Sequence, residues 1–367
     1  MFRQYQLRDF RLRLVVFVYA LTILGILIIG SARAENQSQQ VVGMVLGTIA
    51  MLVFALTDYH YMLNFYWLIY VFNLALLFSV QMFGTKVNGA KRWLDLGFVR
   101  FQPSELTKLL LILFFARLFT RYRESINNWK MLLASGVLLL IPLYMVYEQP
   151  DLSTTITIMF MFCVLIYIGG LSYKIIGTVL AILIPSAIIF INLIMQEGQK
   201  ILDEYQFKRI MAWLNPAEYA DDAYQQQNSI IAIGSGQLYG KGLYNNDISS
   251  VKNGNFIVEP QTDFIFAVTG EELGFIGCAA VIILLALIVM ECLWIGRNAR
   301  EQEGTIICCG FAGLIAFQSL VNICVATGLM PNTGITLPFV SYGLTSLVML
   351  YMGIGIVLNV GLQPKKY

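Results

Sequence analysis

The chain has 367 residues, 58% of them hydrophobic and only 13% charged, with 24 Lys and Arg against 22 Asp and Glu for a net charge of +2. Soluble domains are nearer half apolar and a quarter charged, so the composition excludes an ordinary soluble enzyme and describes an all-α integral membrane protein. The near balance of charge gives no footprint for nucleic acid, and the single histidine, His60, falls in a short turn, which removes Ser-His and Cys-His catalysis from consideration.

Apolar runs long enough to span a bilayer predict about ten transmembrane helices within a single domain, 1–367. They cover 13–30, 40–57, 61–82, 104–119, 130–147, 152–169, 173–196, 263–295, 305–330 and 339–362. The basic N-terminus, M-F-R-Q-Y-Q-L-R, precedes the first run without a small-residue cleavage site, which predicts a retained span. Connections are short except for 83–103 and 197–262. The latter is a large extracytoplasmic loop between the seventh and eighth helices.

Orientation follows from the bias of Lys and Arg toward inner loops. With the N-terminus inside, inner segments hold Arg3, Arg8, Arg11, Arg13, Arg117, Arg121, Arg123, Lys130, Lys174, Arg297, Arg300, Lys365 and Lys366. The short outer loops hold Arg33, Lys86, Lys91, Arg92 and Arg100. Both termini are therefore expected in the cytoplasm.

Four of the outer cations crowd into 83–103, against the topological bias. Either outer carboxylates such as Glu148 and Asp151 pair with them, or they receive an anionic ligand such as a phosphate. The fourth helix opens with Pro103, Ser104 and Glu105, ordinary start signals. Lys108 precedes L-L-L-I-L-F-F and shares a face with Glu105 at i, i+3. A charge pair inside a span points to function, with a structural ion pair as the alternative. Asp151, in Y-E-Q-P-D-L-S-T-T, suits an N-cap for the sixth helix. In the large loop, Ile201, Leu202, Tyr205, Ile210, Trp213 and Leu214 alternate with Glu204, Lys208 and Arg209. That pattern predicts an interfacial amphipathic helix ending at Asn215-Pro216. The glycines at 234, 236, 240 and 242 permit tight turns but lack the spacing of a phosphate loop. The last loop, G-L-M-P-N-T-G-I-T-L-P-F-V-S-Y-G, predicts an irregular entry that puts Ser341 and Tyr342 at a cavity mouth.

The run V-E-P-Q-T-D-F-I-F-A-V-T-G-E-E-L-G-F-I-G, from Val258 to Gly277, sets Asp263 where a loop enters the membrane. Asp263 either caps the helix or does chemistry. Ala267, Gly270, Gly274 and Gly277 fall on its side of the helix at about 100° per residue. That stripe of small residues predicts close packing, within the bundle or against a partner's span. Glu271 and Glu272 lie deeper, at a depth where ionisable groups are costly. The six cysteines lie in or beside apolar runs without a C-x-x-C pair, and read as small hydrophobes.

Six runs, N-G-A-K-R-W-L from Asn88, Q-P-S-E-L-T-K from Gln102, Q-P-D-L from Gln149, A-I-G-S-G-Q-L-Y-G-K-G from Ala232, T-D-F-I-F-A-V-T-G-E-E-L-G from Thr262 and P-F-V-S-Y-G from Pro338, resemble the SEDS family of shape, elongation, division and sporulation proteins. The resemblance covers nearly the whole chain. Its length and P-F-V-S-Y-G resemble the RodA branch more than FtsW or SpoVE. Ser153 and Leu344 stand where the family often has glycine.

The resemblance implies a peptidoglycan glycosyltransferase that polymerises lipid II, an undecaprenyl-pyrophosphate-linked disaccharide peptide. Its place is the outer face of the bacterial cytoplasmic membrane during cell wall elongation, and its partner is a class B penicillin-binding protein. It places an essential aspartate at Asp263 and functional polar residues at Glu105, Lys108 and Asp151. As a general base, Asp263 would serve an inverting transfer, which needs no covalent intermediate. Lys108, Arg92 and Arg209 are candidates to meet the pyrophosphate charge, and Ser341 to contact substrate at the mouth. No organic cofactor is expected. A divalent cation, Mg²⁺ or Mn²⁺, would be held partly by substrate phosphates, since the sequence shows no metal cage. A lipid II flippase and a non-enzymatic scaffold for the penicillin-binding protein are the alternatives. The outer gathering of charges disfavours the first, and the combination of Asp263, Glu105 and Lys108 the second.

Overall fold

The computed structural model describes residues 10–87, 90–95, 97, 100–194, 204–244, 250, 254 and 256–363. Arg3, Arg8, Lys365, Lys366, Ile201 and Leu202 lie outside them. The helices are α1 Leu12–Ala32, α2 Ala34–Leu56, α3 Tyr59–Asn64, α4 Tyr66–Phe83, α5 Pro103–Arg121, α6 Trp129–Tyr147, α7 Leu152–Gly169, α8 Tyr173–Ile194, α9 Glu204–Leu214, α10 Ala220–Ser235, α11 Ile265–Arg297, α12 Gln302–Ala326 and α13 Leu344–Gly361. Eight of these, α1, α2, α4, α6, α7, α11, α12 and α13, are long and apolar enough to cross a membrane. Charged α5 and the outlying α8 fill the other two expected positions.

Local chemistry sets the boundaries. Pro103 opens α5, where its missing N–H has no helical partner to lose. Asp58, Asn128 and Asp151 cap α3, α6 and α7 by accepting from backbone amides. Gly170, at φ 112°, closes α7 in the left-handed conformation that glycine adopts freely. The expected third span divides at Phe65 into α3 and α4.

Segment 83–103, expected as loop, forms a small antiparallel sheet. Its strands are β1 Thr85–Val87, β2 Ala90–Asp95 and β3 Arg100–Phe101, with Thr85 opposite Trp93 and Leu94 opposite Phe101. Pairing satisfies the backbone of a segment lying against the bundle end. The amphipathic segment is α9, with a second helix, α10, behind it.

Helices α12 and α13 are mostly buried and form the centre of the bundle. Small residues let α2 lie along α13, with Gly43 and Gly47 against Leu347 and Tyr351. Aromatic rings of α5 fill the space toward α4 and α7, with Phe114 stacked on Tyr70 and Phe115 edge-on to Phe162. Cys278, Cys292 and Cys308 are buried, whereas Cys163 is exposed on an apolar helix face.

The expected continuous eighth span is broken. Gly274 sits in α11 at φ 64° and ψ −161°, and the segment Gln237–Gly242 threads past the break. Lys241 N donates to Glu271 O (2.9 Å), Gly242 N to Glu272 O (2.9 Å) and Phe275 N to Gln237 O (2.8 Å). A break in a helix leaves backbone polar groups that need partners, and this segment supplies them. Lys241 Nζ also pairs with Glu271 Oε1 (2.9 Å), and Ser31 Oγ donates to Glu272 Oε1 (2.6 Å). The small-residue stripe is therefore filled from within the chain at Gly270 and Gly274. A Cβ on Gly236 would overlap Gly270 O, and one on Gly240 would overlap Glu272 O.

Gly240→Ala is expected to destabilise the protein by more than the ~1–2 kcal/mol of a left-handed alanine, because its methyl has no space. Gly242→Ala, also left-handed at φ +92° but with open space around its Cβ, should show only the backbone share. Equal falls in the Tm of the two detergent-purified variants would refute the threaded packing.

Candidate functional site

Asp263 lies two residues before α11 and does not cap it. The N-cap is Phe264, without a side-chain capping bond. No hydrogen bond reaches the Asp263 carboxylate among the described residues. The backbone around it is instead held at three successive carbonyls. Tyr342 N donates to Gln261 O (2.9 Å), Ser341 Oγ to Thr262 O (2.7 Å) and Asn322 Nδ2 to Asp263 O (2.8 Å). Asn322 Nδ2 also donates to Ile335 O (2.7 Å), tying α12 to the irregular segment 331–343. Ser341 Oγ accepts from Leu337 N (2.8 Å), so both sides of this hydroxyl are engaged within the protein. Gln40 Nε2 reaches in from α2 to Ser341 O (3.2 Å).

The carboxylate faces a mixed set of charges. Arg209, Glu259, Arg92 and Asp151 all bear on it electrostatically. Burial against surrounding protein is the largest influence, and it pushes the carboxyl up from 3.8 to about 6. Arg209 and Arg92 oppose that rise, and Glu259 and Asp151 add to it. A methyl on Gly334 would lie 3.4 Å from Asp263 Oδ2 and 3.9 Å from both Arg209 Nη1 and Ser153 Oγ. Gly334, at φ +76°, therefore keeps open the space between these three groups.

Other expected residues cluster beside this space. Asp151 caps α7 through Thr154 N (3.1 Å) and accepts from Thr154 Oγ1 (2.9 Å) and Gln102 Nε2 (3.2 Å). Arg92 does not pair with Glu148 or Asp151. Its Nε donates to Gln149 O (3.0 Å) and its Nη2 to Pro150 O, which fixes the turn leading into Asp151. Arg209 Nη1 donates to Asn332 O (3.1 Å). Ser153 Oγ donates to Thr333 O (2.7 Å), so the serine at a position often held by glycine joins α7 to segment 331–343.

Glu105 and Lys108 form a 2.8 Å ion pair with side chains 11% and 4% exposed. They line a narrow cavity with Gln318 and Met349. The pair is not in contact with Asp263, but α12 connects the two places. Gln318 lies one turn before Asn322, which holds Asp263.

Asn322, Glu259 and Gly334 are not among the residues that the motifs mark. A signal existed for Asn322, since an amide inside an apolar helix needs a partner. Gly334 carried none, because its role depends on where Arg209 and Ser153 arrive.

Residues 6–366 match the cell cycle protein family of FtsW, RodA and SpoVE. The peptidoglycan glycosyltransferase MrdB of Escherichia coli K12 is 34% identical over 358 residues, 96% of this chain and 93% of that protein. The probable peptidoglycan glycosyltransferase FtsW of Tolumonas auensis is 37% identical over 301 residues, 80% and 74% of the two chains. Among solved structures, a chain from a peptidoglycan synthase complex that coordinates polymerization and crosslinking superposes with TM-score 0.78 at 28% identity, covering 96% and 97% of the chains. The rod shape determining protein RodA of Thermus thermophilus superposes with TM-score 0.69 at 27% identity, covering 96% of each. On this match across nearly its full length, the chain belongs to the FtsW, RodA and SpoVE family of cell cycle proteins.

Proposed function

We propose that this protein is a peptidoglycan glycosyltransferase that polymerises lipid II, with Asp263 as the general base. The observation that carries the reading is the contrast at Asp263. The main chain around it is held at three carbonyls, while among the described residues nothing hydrogen-bonds its carboxylate, which lies beside two arginines. A base needs a fixed position and an unengaged carboxylate within reach of the proton. The 4-hydroxyl of one lipid-linked disaccharide gives its proton to Asp263 and attacks the anomeric carbon of another. The bond to undecaprenyl pyrophosphate breaks with inversion. Arg209, Arg92 and Lys108 meet the charge that develops on the leaving group. Glu105 orients Lys108, Asp151 sets the neighbouring turn, and Ser341 positions Asp263 through Thr262.

No three ligating side chains converge at Asp263 among the described residues. Mg²⁺ or Mn²⁺ there would be held mainly by substrate phosphate oxygens, which leaves the Asp263 carboxylate free to take the proton. Such an ion would neutralise phosphate charge.

Family likeness to a synthase complex supports a class B penicillin-binding protein as partner. The bias of Lys and Arg supports cytoplasmic termini and an outward Asp263. A cysteine placed at Tyr239 should then react with an impermeant thiol reagent in intact cells, and one at Asn127 should not. The opposite pattern would reverse the orientation.

Purified protein, with its penicillin-binding partner, is expected to convert lipid II into glycan chains resolved on a gel. The ionised carboxylate is the working form, so activity should fall as pH drops through about 6, roughly tenfold per unit further down. No polymer at any pH would remove the reading, and a rate flat from pH 5 to 8 would remove Asp263 as the base.

A further inference from the structure

At the opposite end of α12 from Asp263, the only histidine meets three carboxylates. His60 lies on α3, Asp58 caps that helix, Glu301 stands at the N-terminal boundary of α12 without a capping bond, and Glu303 is in its first turn. Glu303 and Asn322 are separated by roughly 28 Å along α12 at 1.5 Å per residue, so this cluster is apart from the site above.

His60 Nδ1 lies 2.7 Å from Asp58 Oδ1, and Nε2 lies 3.0 Å from Glu301 Oε2. Asp58 Oδ1 also accepts from His60 N (3.0 Å) and Gln363 Nε2 (3.2 Å), so the carboxylate is anchored. An imidazole that donates Nδ1–H to an anchored carboxylate turns its Nε2 lone pair the other way. Metal-binding histidines are commonly oriented in this manner. A ring nitrogen of His60, an oxygen of Glu301 and an oxygen of Glu303 lie within 4.8 Å of one another. Donors about 2.1 Å from one ion are at most about 4.2 Å apart, a gap that a small rotation of exposed Glu301 closes.

Glu303 supplies the second, independent observation. Its side chain is only 3% exposed. One oxygen takes Arg117, and the other, Oε2, is buried without a hydrogen-bond partner among the described residues. A buried carboxylate oxygen left in that condition is costly. The alternative arrangement, an imidazolium bridging Asp58 and Glu301, leaves Oε2 as it is.

We propose that His60, Glu301 and Glu303 bind one divalent transition-metal ion, with Asp58 orienting the imidazole and Arg117 holding Glu303. One imidazole with two carboxylates favours Zn²⁺ or Mn²⁺ over Mg²⁺ or Ca²⁺, which prefer all-oxygen sites. The ion clips α3 to the start of α12 and, through Glu303 and Arg117, to α5.

The test uses full-length protein in detergent, without a polyhistidine tag, stripped with chelator and then exposed to Zn²⁺, Mn²⁺ or Mg²⁺. Bound metal is measured by elemental mass spectrometry, and Tm is followed in parallel. Wild type and Asp263→Asn should each retain about one Zn²⁺ or Mn²⁺ per chain, with a rise in Tm that Mg²⁺ does not give. His60→Gln and Glu303→Gln should lose both effects. Exposed Glu301→Gln, which tests the site without emptying a buried position, should weaken binding. Asp58→Asn should weaken it about 10–100-fold. Equal occupancy in wild type and the Glu301 and His60 variants, loss of the ion in Asp263→Asn, or no retained ion in wild type would each overturn the proposal.

Discussion

Asp263→Asn is expected to lower lipid II polymerisation by about 10²–10⁴-fold, the usual worth of a positioned general base, and to raise stability at the same time. Asparagine keeps the shape and leaves the three carbonyl contacts untouched, because Tyr342, Ser341 and Asn322 all bind main chain. Partner binding should therefore survive. The stability sign follows from the raised carboxyl, at about 6 in the fold against 3.8 ordinarily. Its contribution is fully present below pH 4 and is lost as pH rises through about 6, so the carboxylate is a liability at neutral pH. The rise from 3.8 to about 6 bounds this at about 3 kcal/mol, less where water screens the partly exposed group. A Tm gain of a few degrees for Asp263→Asn at pH 7.5 is the outcome to look for. A variant with near-normal polymerisation would return Asp263 to a structural role, and one with lower Tm would mean that the carboxylate is engaged after all.

The second large effect is expected at Lys108. Lys108→Met leaves Glu105 alone in a nearly closed cavity, and breaking a buried pair by removing one partner costs about 3–5 kcal/mol. Glu105→Gln combined with Lys108→Met removes the stranded charge and should restore most of the lost Tm. Polymerisation should remain absent in both if Lys108 meets the leaving group. Recovery of stability and activity together in the double variant would make the pair a purely structural one.

Much of the fold was legible because membrane helices announce themselves by length and apolarity alone. Each of the ten expected spans has its helix, and α9 falls in the segment whose pattern is amphipathic. The sequence also singled out Asp263, Arg92, Arg209 and Asp151, and in the fold the last three all bear electrostatically on Asp263. What stayed hidden depends on contacts between distant segments. Gly274 reads as helix from its neighbours, yet Gln237–Gly242 supplies hydrogen bonds that make a break tolerable there. A cap was one of two readings open for Asp263, since capping is a local inference, whereas the carbonyl contacts that replace it come from residues 59 to 81 positions later. The strands of 83–103 are too short for a periodic signal. His60 and Glu301 are 241 positions apart, so no spacing rule could join them.

The break in α11 acts as a ruler. Beyond Gly274, the remaining turns of α11 to Arg297 measure about 34 Å at 1.5 Å per residue, close to the thickness of a bilayer core. The turns from Ile265 to Leu273 then stand as a post of fixed length on that span, with Asp263 just before its top. Adding one residue to the post would raise the carboxylate by about 1.5 Å and swing it by about 100°, away from Arg209 and Gly334. The height and bearing of the Asp263 carboxylate are thus metered by a residue count.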